Sequence, residues 1–126
     1  MNDNELLRLA EQAAQNAYCK YSGFHVGAAL LTGDGRVYTG CNIENGSYSL
    51  TICAERTAIF KAVSEGVTNF AAIAIAGSAD GDFSSPCFPC GACLQVMSEF
   101  CTGDFAIVLA DGRHTLDELM PRRFAL

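Results

Sequence analysis

Positive charge is scarce in this chain. Its 126 residues include 8 Lys and Arg against 14 Asp and Glu, a formal net charge of −6. A nucleic-acid polymer is held by clustered cations that replace the counterions of its phosphates, and no such stripe exists here. The one dense cationic pair, Arg122-Arg123, is too small to serve as a footprint. Long apolar runs are missing as well: none approaches the roughly 20 residues of a membrane-spanning helix, so no membrane partner is expected. The opening Met1-Asn2-Asp3-Asn4-Glu5 is acidic and polar where a secretory signal is cationic and then apolar. A cytoplasmic protein is therefore expected. Linkers, low-complexity tracts and internal repeats are also lacking. With half its residues apolar, a chain of this length suffices for one domain over residues 1–126 with a sizeable core.

Cysteine, by contrast, is abundant. Seven cysteines without a secretory signal read as thiols and metal ligands and not as a disulfide framework. Cys19, Cys41 and Cys101 stand alone and read as core thiols. The histidines, His25 and His114, read as packing or surface residues.

Periodicity divides the chain into alternating elements. Leu6, Ala10, Ala13, Ala14 and Ala17 recur at helical spacing, which predicts an amphipathic helix over about residues 4–18. Phe24 to Thr32 is strand-like, Gly33-Asp34-Gly35-Arg36 is a turn signal, and Val37 to Asn42 returns as the second strand of a hairpin. A helix over Cys53–Glu65 stops at Gly66, and Phe70 to Ala76 is an apolar strand of the kind buried on both faces. A second short helix opens at Cys90 and runs to Phe100, and Phe105 to Ala110 is another buried strand. Thr115-Leu-Asp-Glu118 has the form of a capping box and starts a last helix before Pro121. Buried strands alternating with helices predict a three-layer α/β/α sandwich, its mixed sheet beginning with an antiparallel hairpin.

Two motifs carry the chemistry: Cys53-Ala54-Glu55 and Pro89-Cys90-Gly91-Ala92-Cys93. Each falls where the chain enters a helix, and a thiolate there is favoured by the partial positive charge of the helix end. Three thiolates hold one zinc ion and leave a fourth tetrahedral position open, which marks a catalytic zinc and not a structural one. Glu55 is placed to move the protons of a water there. Cys87 permits a rival reading on spacing alone, a closed four-thiolate structural zinc of Cys53, Cys87, Cys90 and Cys93. The three-ligand reading is preferred because Pro89 separates Cys87 from the helix start. Three thiolates and Zn²⁺ sum to −1, and Arg56, one helical turn beyond Cys53, is the residue positioned to offset it.

At these residues the sequence resembles the zinc-dependent nucleoside and nucleobase deaminases, whose signature pairs His- or Cys-x-Glu with Pro-Cys-x-x-Cys. Tyr21-Ser-Gly-Phe24-His-Val-Gly-Ala-Ala-Leu30, Asn42-Ile-Glu44-Asn45-Gly-Ser-Tyr48 and Cys53-Ala-Glu-Arg-Thr-Ala58 narrow the resemblance to the short, homotetrameric cytidine deaminases. It covers nearly the whole chain. It implies hydrolytic deamination of cytidine and 2′-deoxycytidine in pyrimidine salvage, with one zinc per subunit on Cys53, Cys90 and Cys93 and Glu55 as proton shuttle. It further implies that Phe24 packs against the pyrimidine, Asn42 and Glu44 bind the ribose hydroxyls, and the backbone around Ala54 reads the base. Gly46 and Tyr48 would reach a neighbouring subunit's site, and Phe124 would close over the pocket, so that a homotetramer shares its active sites. A deaminase of another small aminopyrimidine nucleoside is the rival within this resemblance. Two positions depart from the usual pattern: Gly46 stands for Ala, and Leu94 stands for Arg.

Overall fold

Leu6, Ala10 and Ala14 form the buried stripe of helix α1, Asp3–Ala14, in the computed structural model, which describes residues 1–126. The Asn2 side chain caps it by accepting the Glu5 backbone N–H at 2.9 Å. The helix ends four residues short of the expected boundary. Past it, the Tyr18 N–H donates to the Asn42 carbonyl at 3.0 Å and the Glu44 N–H donates to the Tyr18 carbonyl at 2.8 Å. That tertiary pairing claims the backbone groups a longer helix would have used.

Five strands follow: β1 (His25–Thr32), β2 (Val37–Cys41), β3 (Phe70–Ser78), β4 (Ala106–Leu109) and β5 (Gly112–Thr115). Their order in the sheet is β2-β1-β3-β4-β5, with β3 and β4 parallel and every other neighbouring pair antiparallel. The β1–β2 hairpin turns through Gly35, whose φ of 91° suits glycine. The sheet is therefore mixed and opens on an antiparallel hairpin, as expected. The strand β5 was not foreseen. Its Gly-Arg-His-Thr sequence is polar because it is a half-exposed edge strand, and such strands lack the apolar pattern that betrays buried ones.

Helices α2 (Ala54–Ser64) and α3 (Gly91–Phe100) cover one face together with the short α4 (Leu116–Leu119), and α1 covers the other. The apolar run of β3 supplies both layers by alternation. Ile73 and Ile75 pack with Ile59 and Met97 on the two-helix side, whereas Ala72, Ala74 and Ala76 face Leu6 and Ala10. Small side chains let α1 lie close to the sheet. The Thr115 hydroxyl accepts the Glu118 N–H at 3.2 Å, the cap expected for the last helix. No helix is long and apolar enough to cross a membrane.

One glycine fixes the height of α2 above the sheet. A Cβ on Gly40 of β2 would lie 2.5 Å from the Ala58 nitrogen and 2.6 Å from the Ala54 carbonyl oxygen, both backbone atoms. Backbone cannot yield as a side-chain tip can. Gly40→Ala is expected to cost about 3 kcal/mol and to lower the melting temperature by roughly 10 °C. Calorimetry checks this, and an unchanged midpoint would mean that α2 is free to lift.

Candidate active site

Cys53 and Cys90 occupy equivalent positions at two helix starts. Each is an N-cap with extended backbone, φ −72° and −73°, and neither uses its side chain to cap its own helix. Both sulfurs are thereby released toward the space between the helix ends. Cys93, one turn into α3 and fully buried, completes the set. The Cys53 and Cys90 sulfurs lie 3.8 Å apart, and those of Cys90 and Cys93 lie 3.6 Å apart. The three ligand atoms all fall within 4.8 Å of one another. Zinc–sulfur bonds of about 2.3 Å in a tetrahedron place sulfurs about 3.8 Å apart. The residues fit a zinc ion.

The helix ends add to this. The first intrahelical bond of α2 runs from the Thr57 N–H to the Cys53 carbonyl, so the N–H groups of Ala54, Glu55 and Arg56 have no partner within the helix. Their positive ends favour negative charge at the cluster. The Arg56 Nη2 donates to the Cys53 sulfur at 3.4 Å. Its Nε is buried without a hydrogen-bond partner. Donors from Cys93, Arg56 and Cys90 hold the Cys53 thiol down to about 5. Arg56 is in turn held firmly protonated, first by its bond to Cys53.

Glu55 is only 4 % exposed. Burial pushes its carboxyl up to about 7, and the negative charge on Cys53 adds to the rise. Its own backbone N–H, Cys93 and Arg56 act the other way without reversing it. A carboxyl poised near neutrality both takes and gives protons at working pH.

Cys87 lies outside the ligand set. A Cβ on Gly77 would meet its sulfur at 2.7 Å and the Phe24 ring at 2.9 Å, so sulfur and ring converge over that glycine of β3. Burial, then the charges of Glu55 and Cys53, push the Cys87 thiol up to about 11. It stays protonated beside the Phe24 ring. A fourth thiolate has no support in this geometry. Leu94 is buried in the core with Met97, so no cation occupies that position.

The remaining expected residues gather on the loop before β1 and the segment after β2. The Asn42 amide bridges the strand start: its Nδ2 donates to the Phe24 carbonyl at 2.8 Å and its Oδ1 accepts the Val26 N–H at 2.9 Å. Asn42 thus pins the backbone of Phe24 at the start of β1. Tyr21, Ser22, Glu44, Asn45, Tyr48 and Thr51 line a cavity of about 370 Å³. Tyr48, 77 % exposed, meets Tyr21 edge-on with ring centres 6.2 Å apart. The Tyr21 hydroxyl also comes within 3.0 Å of where a Cβ on Gly46 would stand. Phe124 is placed elsewhere, exposed beside Gln95, Ser98 and Glu99 of α3. Sequence reasoning passed over Tyr21 and Ser22 because neither residue type is distinctive in a loop.

A mixed sheet that presents three cysteine sulfurs, a buried carboxyl and an arginine at two helix ends defines a zinc-dependent hydrolase, with one zinc per subunit. Residues 1–109 match the family described as the cytidine and deoxycytidylate deaminase zinc-binding region. The chain belongs to that family. It is 46 % identical to the cytidine deaminase of Sporosarcina psychrophila over 99 % of this chain and 93 % of that protein. With the cytidine deaminase of Halalkalibacterium halodurans the identity is 48 %, over 98 % of this chain and 95 % of the relative. The crystal structure of the cytidine deaminase from Mycobacterium tuberculosis superposes with a TM-score of 0.89 at 40 % identity, covering 100 % of this chain and 99 % of that one.

Proposed function

We propose that the protein hydrolyses cytidine and 2′-deoxycytidine to uridine and 2′-deoxyuridine with release of ammonia. All 126 residues act as one catalytic domain. The observation that carries the reading is the thiolate triangle with sulfurs 3.6 and 3.8 Å apart, two residues from a carboxyl buried to 4 % exposure. Cys53, Cys90 and Cys93 hold the zinc, which when bound supplies Lewis-acid activation of a water. Glu55 takes a proton from the attacking water and delivers it to N3 of the base; it then takes the second proton from the new hydroxyl on C4 and passes it to the amine, so that ammonia leaves as C4 becomes a carbonyl. Arg56 offsets the surplus negative charge of the thiolates. Phe24 packs on the pyrimidine ring, Asn42 and Glu44 face the sugar, and the unpaired backbone groups around Ala54 read the base edge.

The exposed aromatic surface supports a homotetramer with shared sites. Tyr21 and Tyr48 are exposed at the mouth of the cavity that they line, and Phe24 and Leu50 are exposed as well; apolar surface of this kind is what an interface between subunits covers. Gly46 and Tyr48 then reach a neighbour's pocket, and Phe124, exposed beside α3, closes a pocket only across such an interface. The protein works in the cytoplasm, in pyrimidine salvage.

The test is the absorbance change from cytidine to uridine on purified protein, with and without a zinc chelator, and with cytosine and cytidine monophosphate run beside it. Turnover of the nucleosides, lost with chelator, is expected. The monophosphate should be refused, because the Glu44 carboxylate repels phosphate. Faster turnover of the monophosphate or the free base would overturn the substrate assignment.

A further inference from the structure

The Glu44 carboxylate is held from one side by the Tyr21–Ser22 segment. Its Oε1 accepts the backbone N–H groups of Tyr21 and Ser22, each at 3.1 Å. Its Oε2 accepts the Ser22 hydroxyl. The same Ser22 oxygen accepts the Phe24 N–H at 3.0 Å. An amide N–H only donates, so the hydroxyl hydrogen is free to point at Glu44 and the direction of the pair is fixed. One hydroxyl therefore joins the carboxylate that faces the sugar to the backbone from which the Phe24 ring rises.

An ionised carboxylate offers about four acceptor positions. Three are taken here, and the one left lies on Oε2, the oxygen that Ser22 holds. Both residues line the cavity that Tyr48 borders. The Ser22 hydroxyl is also the first cause of the lowered Glu44 pKa, ahead of burial, which opposes it. The carboxylate is thereby kept charged and aimed.

We infer that Ser22 is a positioning residue for nucleoside recognition, acting through Glu44 on the sugar hydroxyls. This rests on Glu44 being the sugar-binding carboxylate of the proposed function. A serine that merely shaped its loop would affect all substrates alike. One that aims Glu44 matters only where the sugar has hydroxyls to meet it.

The experiment compares Ser22→Ala and Ser22→Thr with wild type on cytidine and on 2′,3′-dideoxycytidine, with zinc content and melting temperature measured for each. Ser22→Ala should raise KM for cytidine about tenfold, the equivalent of about 1.4 kcal/mol, with kcat little changed. Its KM for the dideoxynucleoside should shift far less, and Ser22→Thr, which keeps the hydroxyl, should restore cytidine KM. Equal losses on both substrates, or an unchanged KM for cytidine, would overturn the inference while leaving the proposed function standing. A wild type that fails to turn over cytidine would overturn the proposed function first, and the inference with it.

Discussion

Glu55→Gln is expected to retain one zinc per chain and to lose turnover by a factor on the order of 10²–10⁴, the usual worth of a positioned acid–base group. Glutamine matches the shape of the side chain that α2 buries against the cluster, so neither the fold nor the sulfur triangle is disturbed. What disappears is the proton. The carboxyl is poised at about 7 because burial opposes its charge and the neighbouring Cys53 thiolate reinforces that opposition. An amide neither accepts the water proton nor returns it to the base. Zinc content by elemental analysis and the cytidine-to-uridine absorbance change measure the two halves separately. Activity within tenfold of wild type would remove Glu55 from the reaction, and lost zinc would recast it as a structural neighbour of the cluster.

Much of this site was legible in the sequence because its parts sit where local chemistry constrains the chain. Cys53 and Cys90 each precede a helical pattern, and both proved to be N-caps whose side chains leave the cap unused. The continuous apolar run of Phe70 to Ala76 marked a strand buried on both faces, although it could not reveal that isoleucines face two helices and alanines one. What escaped was long-range pairing. The first helix stops at Ala14 because Tyr18 pairs with the segment after β2, an interaction across more than twenty residues. The edge strand β5 carries no apolar signal. Asn42 and Glu44 entered the site only through the family resemblance, and only the fold shows them fastening the loop of Tyr21, Ser22 and Phe24. A polar side chain's partner is a property of the folded chain, and residue type constrains it weakly.

The sharpest division among the cysteines falls between Cys93 and Cys87, both of them ligands in the four-thiolate centre that spacing alone allows. Cys93→Ser should weaken zinc binding by more than about 100-fold, beyond the 10–100-fold typical of an outer-shell change, and should reduce turnover to background. A serine oxygen at that fully buried position is not ionised at neutral pH and cannot replace a thiolate. Because binding of a structural or catalytic ion is coupled to folding, the variant should also melt lower than wild type and stop responding to chelator. Cys87→Ser should keep one zinc per chain. Its thiol lies over Gly77 against the Phe24 ring and stays protonated, with a pKa near 11 that burial imposes. Exchanging sulfur for oxygen there disturbs the floor under Phe24, so the expected loss is in KM and not in metal. Zinc lost from Cys87→Ser would restore the four-thiolate centre, and the open coordination position that hydrolysis needs would be gone. Zinc kept by Cys87→Ser and lost by Cys93→Ser leaves three sulfurs, one open position and the buried carboxyl beside it.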